Sequence, residues 1–273
     1  MELEVSSFCI HTGEEPVLTG QAGVANVFLA RCSLNCVYCQ NHTISQPREP
    51  EVSRWIRRGE QLPEKLLEMQ SAGCPTAGFV TPTHYAPQLM SALEKAEETG
   101  FRIPVIYNTA AYDSPDLIRA LDGMVDIYLP DLKYSSHSHA EKYSEAPGYV
   151  KNSRRCLQEM YEQVGPLQID GSGVAVRGLM VRLLVLPGDL SGTLDSLDFI
   201  ARDLGRDVSV SLMSQYYPAH RAREFPELDR RLSRREYDMA VDHLHRLGLE
   251  AGWVQDPVTS PDSYRPLVDF SLE

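Results

Sequence analysis

The chain has 273 residues, with 26 Lys and Arg against 38 Asp and Glu, and therefore a formal net charge of −12 at pH 7. A hydrophobic content of 42% and a charged content of 23% are typical of soluble globular proteins. No apolar run approaches the roughly 18 residues that cross a bilayer, no leader opens the chain, and the acidic balance disfavours a nucleic-acid coat protein, so we expect a cytoplasmic protein.

Six short apolar runs predict β-strands. Each is rich in Val, Ile, Leu or aromatic residues and is continuous rather than alternating, which is typical of parallel strands covered on both faces. In chain order, the runs are residues 24–30, 77–81, 103–107, 124–129, 179–186 and 208–213.

Helices are predicted between these strands. Ser114-Pro115 supplies an N-cap and a first-turn proline, and Ser233 with Glu236 forms a capping box. A third helix, at residues 194–204, ends before Gly205, as expected for glycine just past a helix end. Strand and helix alternate at least five times, which predicts one parallel sheet, open or closed into a full or partial barrel. No Gly-x-Gly-x-x-Gly follows the first strand, so the sequence does not support a Rossmann-type dinucleotide-binding domain.

The domain organisation expected from these patterns has three parts. Residues 1–23 form an N-terminal extension, residues 24–255 form the α/β unit, and residues 256–273 form a proline-containing tail packed on it. We see no linker and no internal repeat that would divide the central part.

Polar side chains follow the predicted strands at their carboxyl ends, where α/β folds gather their reactive groups. Polar loops are also ordinary at such places, so position alone does not establish a role for any one residue. The candidates are Cys32, Thr81, Thr83, His84, Asn108, Asp131 and Lys133.

Three of the six cysteines lie within eight residues, as Cys32, Cys36 and Cys39. Clustered thiols in an intracellular chain indicate metal ligands rather than a disulfide framework. Cys74 and Cys156 fall in or beside predicted helices, where a free cysteine packs as a small hydrophobic residue.

Three thiolates are one ligand short of a closed tetrahedral site. His42 would complete a structural Cys3His zinc site. Alternatively, an iron–sulfur cube held by three thiolates leaves one iron open for an outside ligand, which is a catalytic arrangement. The number of ligands is compatible with either the zinc site or the iron–sulfur cluster.

The three cysteines form the pattern Cys32-x3-Cys36-x2-Cys39, with Tyr38 before the last cysteine and a predicted strand before the first. This pattern resembles the signature of the radical S-adenosylmethionine superfamily. The segment 36–41 is similar to the branch that activates glycyl radical enzymes. Matches along residues 11–255 resemble a poorly characterised group described as pyruvate formate-lyase activating enzyme-like. They are Gly13-Glu14-Glu15-Pro16, Thr81-Pro82-Thr83-His84, Tyr107-Asn108-Thr109, Asp131-Leu132-Lys133 and Arg182 with the residues after it up to Gly188.

This resemblance implies a partial (β/α)6 TIM-like barrel that carries a [4Fe–4S] cluster and S-adenosylmethionine. Reductive cleavage would give methionine and a 5′-deoxyadenosyl radical that abstracts hydrogen from a substrate. The resemblance makes Cys32, Cys36 and Cys39 the cluster ligands. The Tyr38 backbone would lie near the adenine, and Asp131, Lys133 and Arg182 would bind the cofactor. We also expect Thr81, Thr83, His84 and Asn108 to bind it, although Thr81-Pro82-Thr83-His84 replaces the Gly-Gly-Glu-Pro that is usual after the second strand.

The substrate implied by the activating-enzyme resemblance is a glycyl residue of a partner enzyme. A small molecule, another peptide or RNA are alternative substrates, and a non-enzymatic metal-binding or electron-transfer protein is the alternative to an enzyme. The hypothesis of a radical enzyme requires an electron donor such as flavodoxin or ferredoxin. We expect neither a membrane nor a nucleic acid among the partners.

Overall fold

The computed structural model describes residues 2–47 and 57–256. The strands in these ranges are β1 (Glu4–His11), β2 (Val24–Leu29), β3 (Arg57–Arg58), β4 (Ala77–Val80), β5 (Val105–Thr109), β6 (Ile127–Pro130), β7 (Gln168–Ile169), β8 (Ala175–Leu184), β9 (Ser209–Met213) and β10 (Gly252–Val254). The α-helices are α1 (Pro16–Thr19), α2 (His42–Ser45), α3 (Leu62–Ser71), α4 (Ala86–Glu98), α5 (Pro115–Ala120), α6 (His137–Ser144), α7 (Tyr149–Val164), α8 (Thr193–Phe199) and α9 (Arg234–Arg246).

The six strands predicted from the sequence form the parallel centre of one sheet. Strands β2, β4, β5, β6, β8 and β9 lie side by side in chain order, and each is parallel to the next. Within the described residues, β10 ends the sheet on one side and β3 ends it on the other, and these two strands do not pair. The sheet is therefore an open, partial α/β barrel, as the resemblance implied.

Strand boundaries differ from the predicted ones by a few residues. β5 begins at Val105 rather than at residue 103, because Pro104 has no N–H to donate to a neighbouring strand. β6 begins at Ile127, since Met124 still closes the turn after α5 through a hydrogen bond from its N–H to the Leu121 carbonyl.

Residues 1–23, expected as an extension, contribute the strand β1, which pairs antiparallel with β2. β1 reads Glu-Val-Ser-Ser-Phe-Cys-Ile-His, which has neither clean alternation nor a continuous apolar run, so the strand left no clear periodic signal. Of the expected tail at 256–273, all but Asp256 lies outside the described residues.

The expected helix signals are confirmed. The Ser114 hydroxyl accepts the Leu117 N–H at 3.1 Å at the start of α5, and Ser233 and Glu236 form a reciprocal capping box at the start of α9. α8 continues as a wider turn from Ile200 to Leu204 and stops at Gly205, whose φ of 135° favours glycine. No helix in the described ranges is long and apolar enough to cross a membrane.

The two faces of the sheet bury different cores. Outward-facing side chains, such as Tyr107 and Val181, pack against the surrounding helices. The inner face is apolar at its base, where Ile106, Ile127 and Met180 pack with Val17 and Leu18 of α1. The segment that contains α1 therefore closes the amino end of the barrel and leaves the carboxyl end for polar groups. α1 is tied there by a hydrogen bond of 2.8 Å from the Thr76 hydroxyl, just before β4, to the Leu18 carbonyl.

Candidate functional site

The three clustered cysteines lie on one loop after β2, residues 31–41, which we call the cysteine loop. Each sulfur has a polar neighbour. The Cys32 sulfur accepts the Leu34 N–H at 3.4 Å, and the Cys36 sulfur accepts the Ser144 hydroxyl at 3.0 Å. The Cys39 sulfur lies 3.2 Å from the Ser45 hydroxyl. These contacts hold all three thiols at the carboxyl end of the barrel.

One cation faces all three thiols. Burial raises the pKa of each thiol, that of Cys36 to about 12, while the nearby Lys133 ammonium acts in the opposite direction on all three. Cys36 is buried, and Cys32 and Cys39 are partly buried. A bound metal replaces the thiol protons, so these thiols beside a lysine suit an anionic metal–thiolate group. The donor set and its electrostatics therefore fit an iron–sulfur cluster held by Cys32, Cys36 and Cys39.

Two distant elements support the cysteine loop through its backbone. At the end of α6, the Ser144 carbonyl accepts the Asn35 N–H at 3.0 Å, and the Tyr143 carbonyl accepts the Val37 N–H at 2.8 Å. On the other side, the Arg221 N–H donates to the Val37 carbonyl at 2.8 Å. Since these bonds involve main-chain groups, they orient the loop independently of any bound group.

His42, the fourth ligand of the zinc alternative, is engaged with other partners. Its Nδ1 lies 3.3 Å from the Cys39 carbonyl oxygen, and its ring stacks on that of His220 with centroids 4.5 Å apart. Across the described ranges, no group of three or more His, Cys, Asp or Glu side chains is arranged around a single metal ion.

A charged layer lies on the inner face between the apolar base and the cysteine loop. Its centre is Arg182 on β8, whose guanidinium donates to three acceptors: Nε to Asp131 at 2.7 Å, Nη1 to Glu14 at 3.0 Å and Nη2 to Asn108 at 2.9 Å. Lys133 donates to the second oxygen of Asp131 at 3.0 Å. Four of the predicted cofactor-binding residues thus form one hydrogen-bonded group, and its lysine faces the thiols.

Electrostatics hold this layer in its charged state. Burial acts to raise the pKa of Asp131, but Arg182 and Lys133 outweigh it and keep that pKa below its ordinary value. Asp131 likewise outweighs the effect of burial on Lys133 and raises the pKa of the ammonium group. Below the guanidinium, Glu14 also accepts the Asn26 side-chain N–H at 3.1 Å, which links the layer to β2.

Three predicted cofactor-binding residues after β4 make contacts elsewhere. The Thr81 hydroxyl donates to the Val80 carbonyl at 2.7 Å, and the Thr83 hydroxyl lies 3.3 Å from that of Thr109. His84 Nε2 lies 2.9 Å from the Ala30 carbonyl oxygen, below the cysteine loop. The geometry therefore separates these three side chains from the hydrogen bonds around Arg182.

Two of these residues nevertheless show signs of strain or incomplete bonding. Thr81 has φ of +57°, a left-handed conformation that is costly for a β-branched residue. The Nδ1 atom of His84 is buried without a hydrogen-bond partner, and burial lowers the pKa of the ring.

Tyr38, predicted to lie near the adenine through its backbone, is buried at the edge of the cysteine loop. Its ring meets that of Tyr216 edge to face, with centroids 6.1 Å apart. Burial raises the pKa of its phenol well above the ordinary value.

Several residues of the site were not singled out from the sequence. Glu14 was identified only as part of a matched segment, and Glu15 was expected near the barrel mouth on the resemblance of that segment alone. Ser144 and Asn26 were not identified. The segment before Pro16 could have drawn attention, because two adjacent acids occur there between a strand and a helix that starts with proline. Ser144 ends an ordinary surface helix, so no local pattern marks it.

Comparison with known proteins gives one sequence relative and several structural ones. No protein-family model matches the chain. The uncharacterized protein MJ0674 of Methanocaldococcus jannaschii is 28% identical over 249 residues, which is 88% of this chain and 67% of that protein.

The structural relatives share the fold at low sequence identity. HydG, a maturase of the [FeFe]-hydrogenase, is similar with a TM-score of 0.53 and 11% identity over 83% of this chain and 50% of its own. HydG from Carboxydothermus hydrogenoformans gives a TM-score of 0.54 with 13% identity, over 82% of this chain and 51% of its own. Methylornithine synthase, PylB, gives 0.50 with 14% identity, over 82% of this chain and 61% of its own. The chain thus spans about half the length of the HydG structures that it matches. These similarities show the partial-barrel fold.

Proposed function

We propose that this chain is a radical S-adenosylmethionine enzyme. The observation that carries the proposal is the position of three thiols on one loop, one buried and two partly buried, facing Lys133 at the carboxyl end of a partial barrel. The barrel resembles those of HydG and PylB, which are radical S-adenosylmethionine enzymes that use a [4Fe–4S] cluster and S-adenosylmethionine.

When bound, the cluster and S-adenosylmethionine supply a reductive cleavage that gives methionine and a hydrogen-abstracting 5′-deoxyadenosyl radical. The chain's own residues bind and orient these groups. Cys32, Cys36 and Cys39 hold the cluster, and the Lys133 ammonium offsets the negative charge of the thiolates. Arg182 has N–H groups left beyond its three contacts and can bind a carboxylate or hydroxyl group of the cofactor.

The finer assignment is an activating enzyme whose substrate is a glycyl residue of a partner protein. Its support is the cysteine segment 36–41 and the Asp131-x-Lys133 pair, both of which resemble that branch. An open sheet edge is compatible with a protein segment entering the barrel. An electron donor such as flavodoxin or ferredoxin belongs to the same proposal, because the cleavage consumes one electron.

The test is anaerobic. The protein is reconstituted with iron and sulfide, its iron is counted, and 5′-deoxyadenosine is assayed after addition of dithionite and S-adenosylmethionine. We expect about four irons per chain and measurable 5′-deoxyadenosine. Cys36→Ala should lose both, whereas Cys74→Ala, a matched change at another buried cysteine, should keep both.

Two outcomes would contradict the proposal. One is a single zinc per chain with no product, which would restore the structural Cys3His site. The other is unchanged 5′-deoxyadenosine production by Cys36→Ala.

A further inference from the structure

His220 lies in the loop after β9 and has a strained backbone. Its φ is +49°, in the left-handed region, which costs free energy for a residue that has a Cβ atom. Backbone strain of this kind persists only where surrounding contacts fix the chain, and it is concentrated at functional sites. The contacts made by the His220 ring therefore bear on function.

The chain on both sides of His220 is attached to the cysteine loop. Before it, the almost fully buried ring of Tyr216 meets the Tyr38 ring edge to face. After it, the Arg221 N–H donates to the Val37 carbonyl at 2.8 Å. Because the chain is held at both positions, His220 has a fixed place beside the cysteine loop.

The His220 ring is connected to the main chain of Cys36 through one side chain, that of Gln46. His220 Nε2 lies 3.2 Å from Gln46 Oε1. An amide oxygen only accepts hydrogen bonds, so Nε2 carries the hydrogen and donates it. Gln46 Nε2 in turn donates to the Cys36 carbonyl at 3.4 Å.

The same ring is connected to the main chain of Cys39 through His42. The two imidazole rings stack with centroids 4.5 Å apart and planes at 17°. His42 Nδ1 lies 3.3 Å from the Cys39 carbonyl oxygen, which only accepts, so Nδ1 is the donor. One side chain from a distant loop thus supports the backbone of two of the three clustered cysteines, and it does so without touching their sulfur atoms.

Support of this kind matters for a metal group because the position of a thiolate follows from the backbone that carries it. Groups that orient metal ligands from outside the coordination shell typically change metal affinity by about 10–100-fold when they are removed. Two connections that end at one ring also keep Cys36 and Cys39 in a fixed relation to each other.

We propose that His220 is a positioning residue for the iron–sulfur cluster. Through Gln46 it fixes the main chain of Cys36, and through His42 it fixes that of Cys39. This inference rests on the proposed function, because it presupposes that the cysteine loop holds a cluster. The free-energy cost of the left-handed conformation is then offset by thiolates that stay in the ligating arrangement.

The test measures how fast the cluster is lost. Wild-type protein, His220→Gly, His220→Gln and the control His245→Gln are reconstituted anaerobically with iron and sulfide, and iron release to the chelator ferrozine is followed by absorbance. His245 is an exposed histidine of α9. We expect His220→Gly to release iron about tenfold faster than the wild type. His245→Gln should release it at the wild-type rate.

The glutamine variant separates positioning from a general effect of the substitution. Its side-chain amide can still donate to Gln46, so His220→Gln should release iron more slowly than His220→Gly. When Gln46→Ala is added to both variants, this difference should disappear, because the amide has lost its acceptor.

Melting temperatures of the metal-free proteins distinguish this role from an effect on overall stability. Glycine relieves the left-handed strain that glutamine keeps, so His220→Gly should melt no lower than His220→Gln. If the rates of iron release simply follow the melting temperatures, the inference is wrong. It is also wrong if His220→Gly releases iron at the wild-type rate.

The proposed function can fail separately. If the wild type takes up about four irons but gives no 5′-deoxyadenosine, the proposed function fails, and the rates of iron release still test the role of His220. If the wild type takes up no iron, both the proposed function and the inference about His220 fail.

Discussion

Arg182 donates its Nε–H to Asp131 Oδ1 at 2.7 Å, and the Arg182 carbonyl accepts the Leu132 N–H at 2.9 Å. This double connection joins the carboxyl ends of β8 and β6, beside the barrel interior. Because Arg182 also contacts Glu14 and Asn108, a single guanidinium holds three elements in place around the site.

Replacing Arg182 by lysine tests this role. Lysine keeps the charge, but its single nitrogen cannot reach three acceptors in the fork geometry of a guanidinium. We expect Arg182→Lys to lower the free energy of unfolding by about 2–4 kcal/mol, because the partly buried carboxylates of Glu14 and Asp131 lose hydrogen-bond partners. Urea unfolding measures the change, with Arg155→Lys at an exposed position of α7 as the control. A loss below about 0.5 kcal/mol, typical of a surface change, would contradict the role.

The strained conformation of Thr81 gives a second prediction. Its φ of +57° disfavours a β-branched side chain, whereas asparagine tolerates this region. Thr81→Asn should therefore stabilise the protein by about 1 kcal/mol in urea unfolding. If Thr81 also contacts S-adenosylmethionine, the same variant should bind that ligand more weakly in equilibrium dialysis. A destabilised variant would show that the hydroxyl bond to the Val80 carbonyl outweighs the strain.

His84 predicts a pH dependence of stability. Burial lowers the pKa of the folded ring below its ordinary value of 6.5, while the unfolded chain keeps the ordinary value. The unfolded state then binds more protons as the pH falls below 6.5, so folded-state stability is lost from there down to the folded pKa. His84→Gln, which can still donate to the Ala30 carbonyl, should lose less stability than the wild type between pH 7.5 and about pH 5. If the melting temperatures of the two proteins fall by the same amount over this pH range, the titration of His84 does not cause the loss of stability.

The hydroxyl of Ser144 is predicted to stabilise the fold beside the cysteine loop. Its hydroxyl donates to the Cys36 sulfur at 3.0 Å and lies 2.6 Å from the hydroxyl of the fully buried Tyr134. Ser144→Ala should lower the free energy of unfolding by about 1–2 kcal/mol, since the Tyr134 hydroxyl loses its partner. The iron content after reconstitution should remain near that of the wild type, because the ligand thiol is unchanged. Ser138→Ala is the matched control. If Ser144→Ala is as stable as Ser138→Ala, the prediction is wrong.

Much of the fold followed from local patterns. The apolar runs at 24–30 and 208–213 became β2 and β9, and Ser114 and Ser233 cap the helices that their neighbours indicated. Such signals work because a buried parallel strand and a helix cap depend on residues within a few positions of each other. β1 and β10 escaped prediction, because one lacks a periodic pattern and the other has three residues.

The sequence by itself determined the six parallel strands and the placement of Cys32, Cys36 and Cys39 on one loop after the first of them. Both depend on residues that are close together in the chain. The tertiary structure decided which distant groups meet there. Arg182 reaches Glu14 across 168 positions, and Ser144 reaches Cys36 across 108. It also decided that Glu15 is buried with an oxygen left unpaired. Register and burial determine such contacts, and both arise only when the whole sheet has assembled.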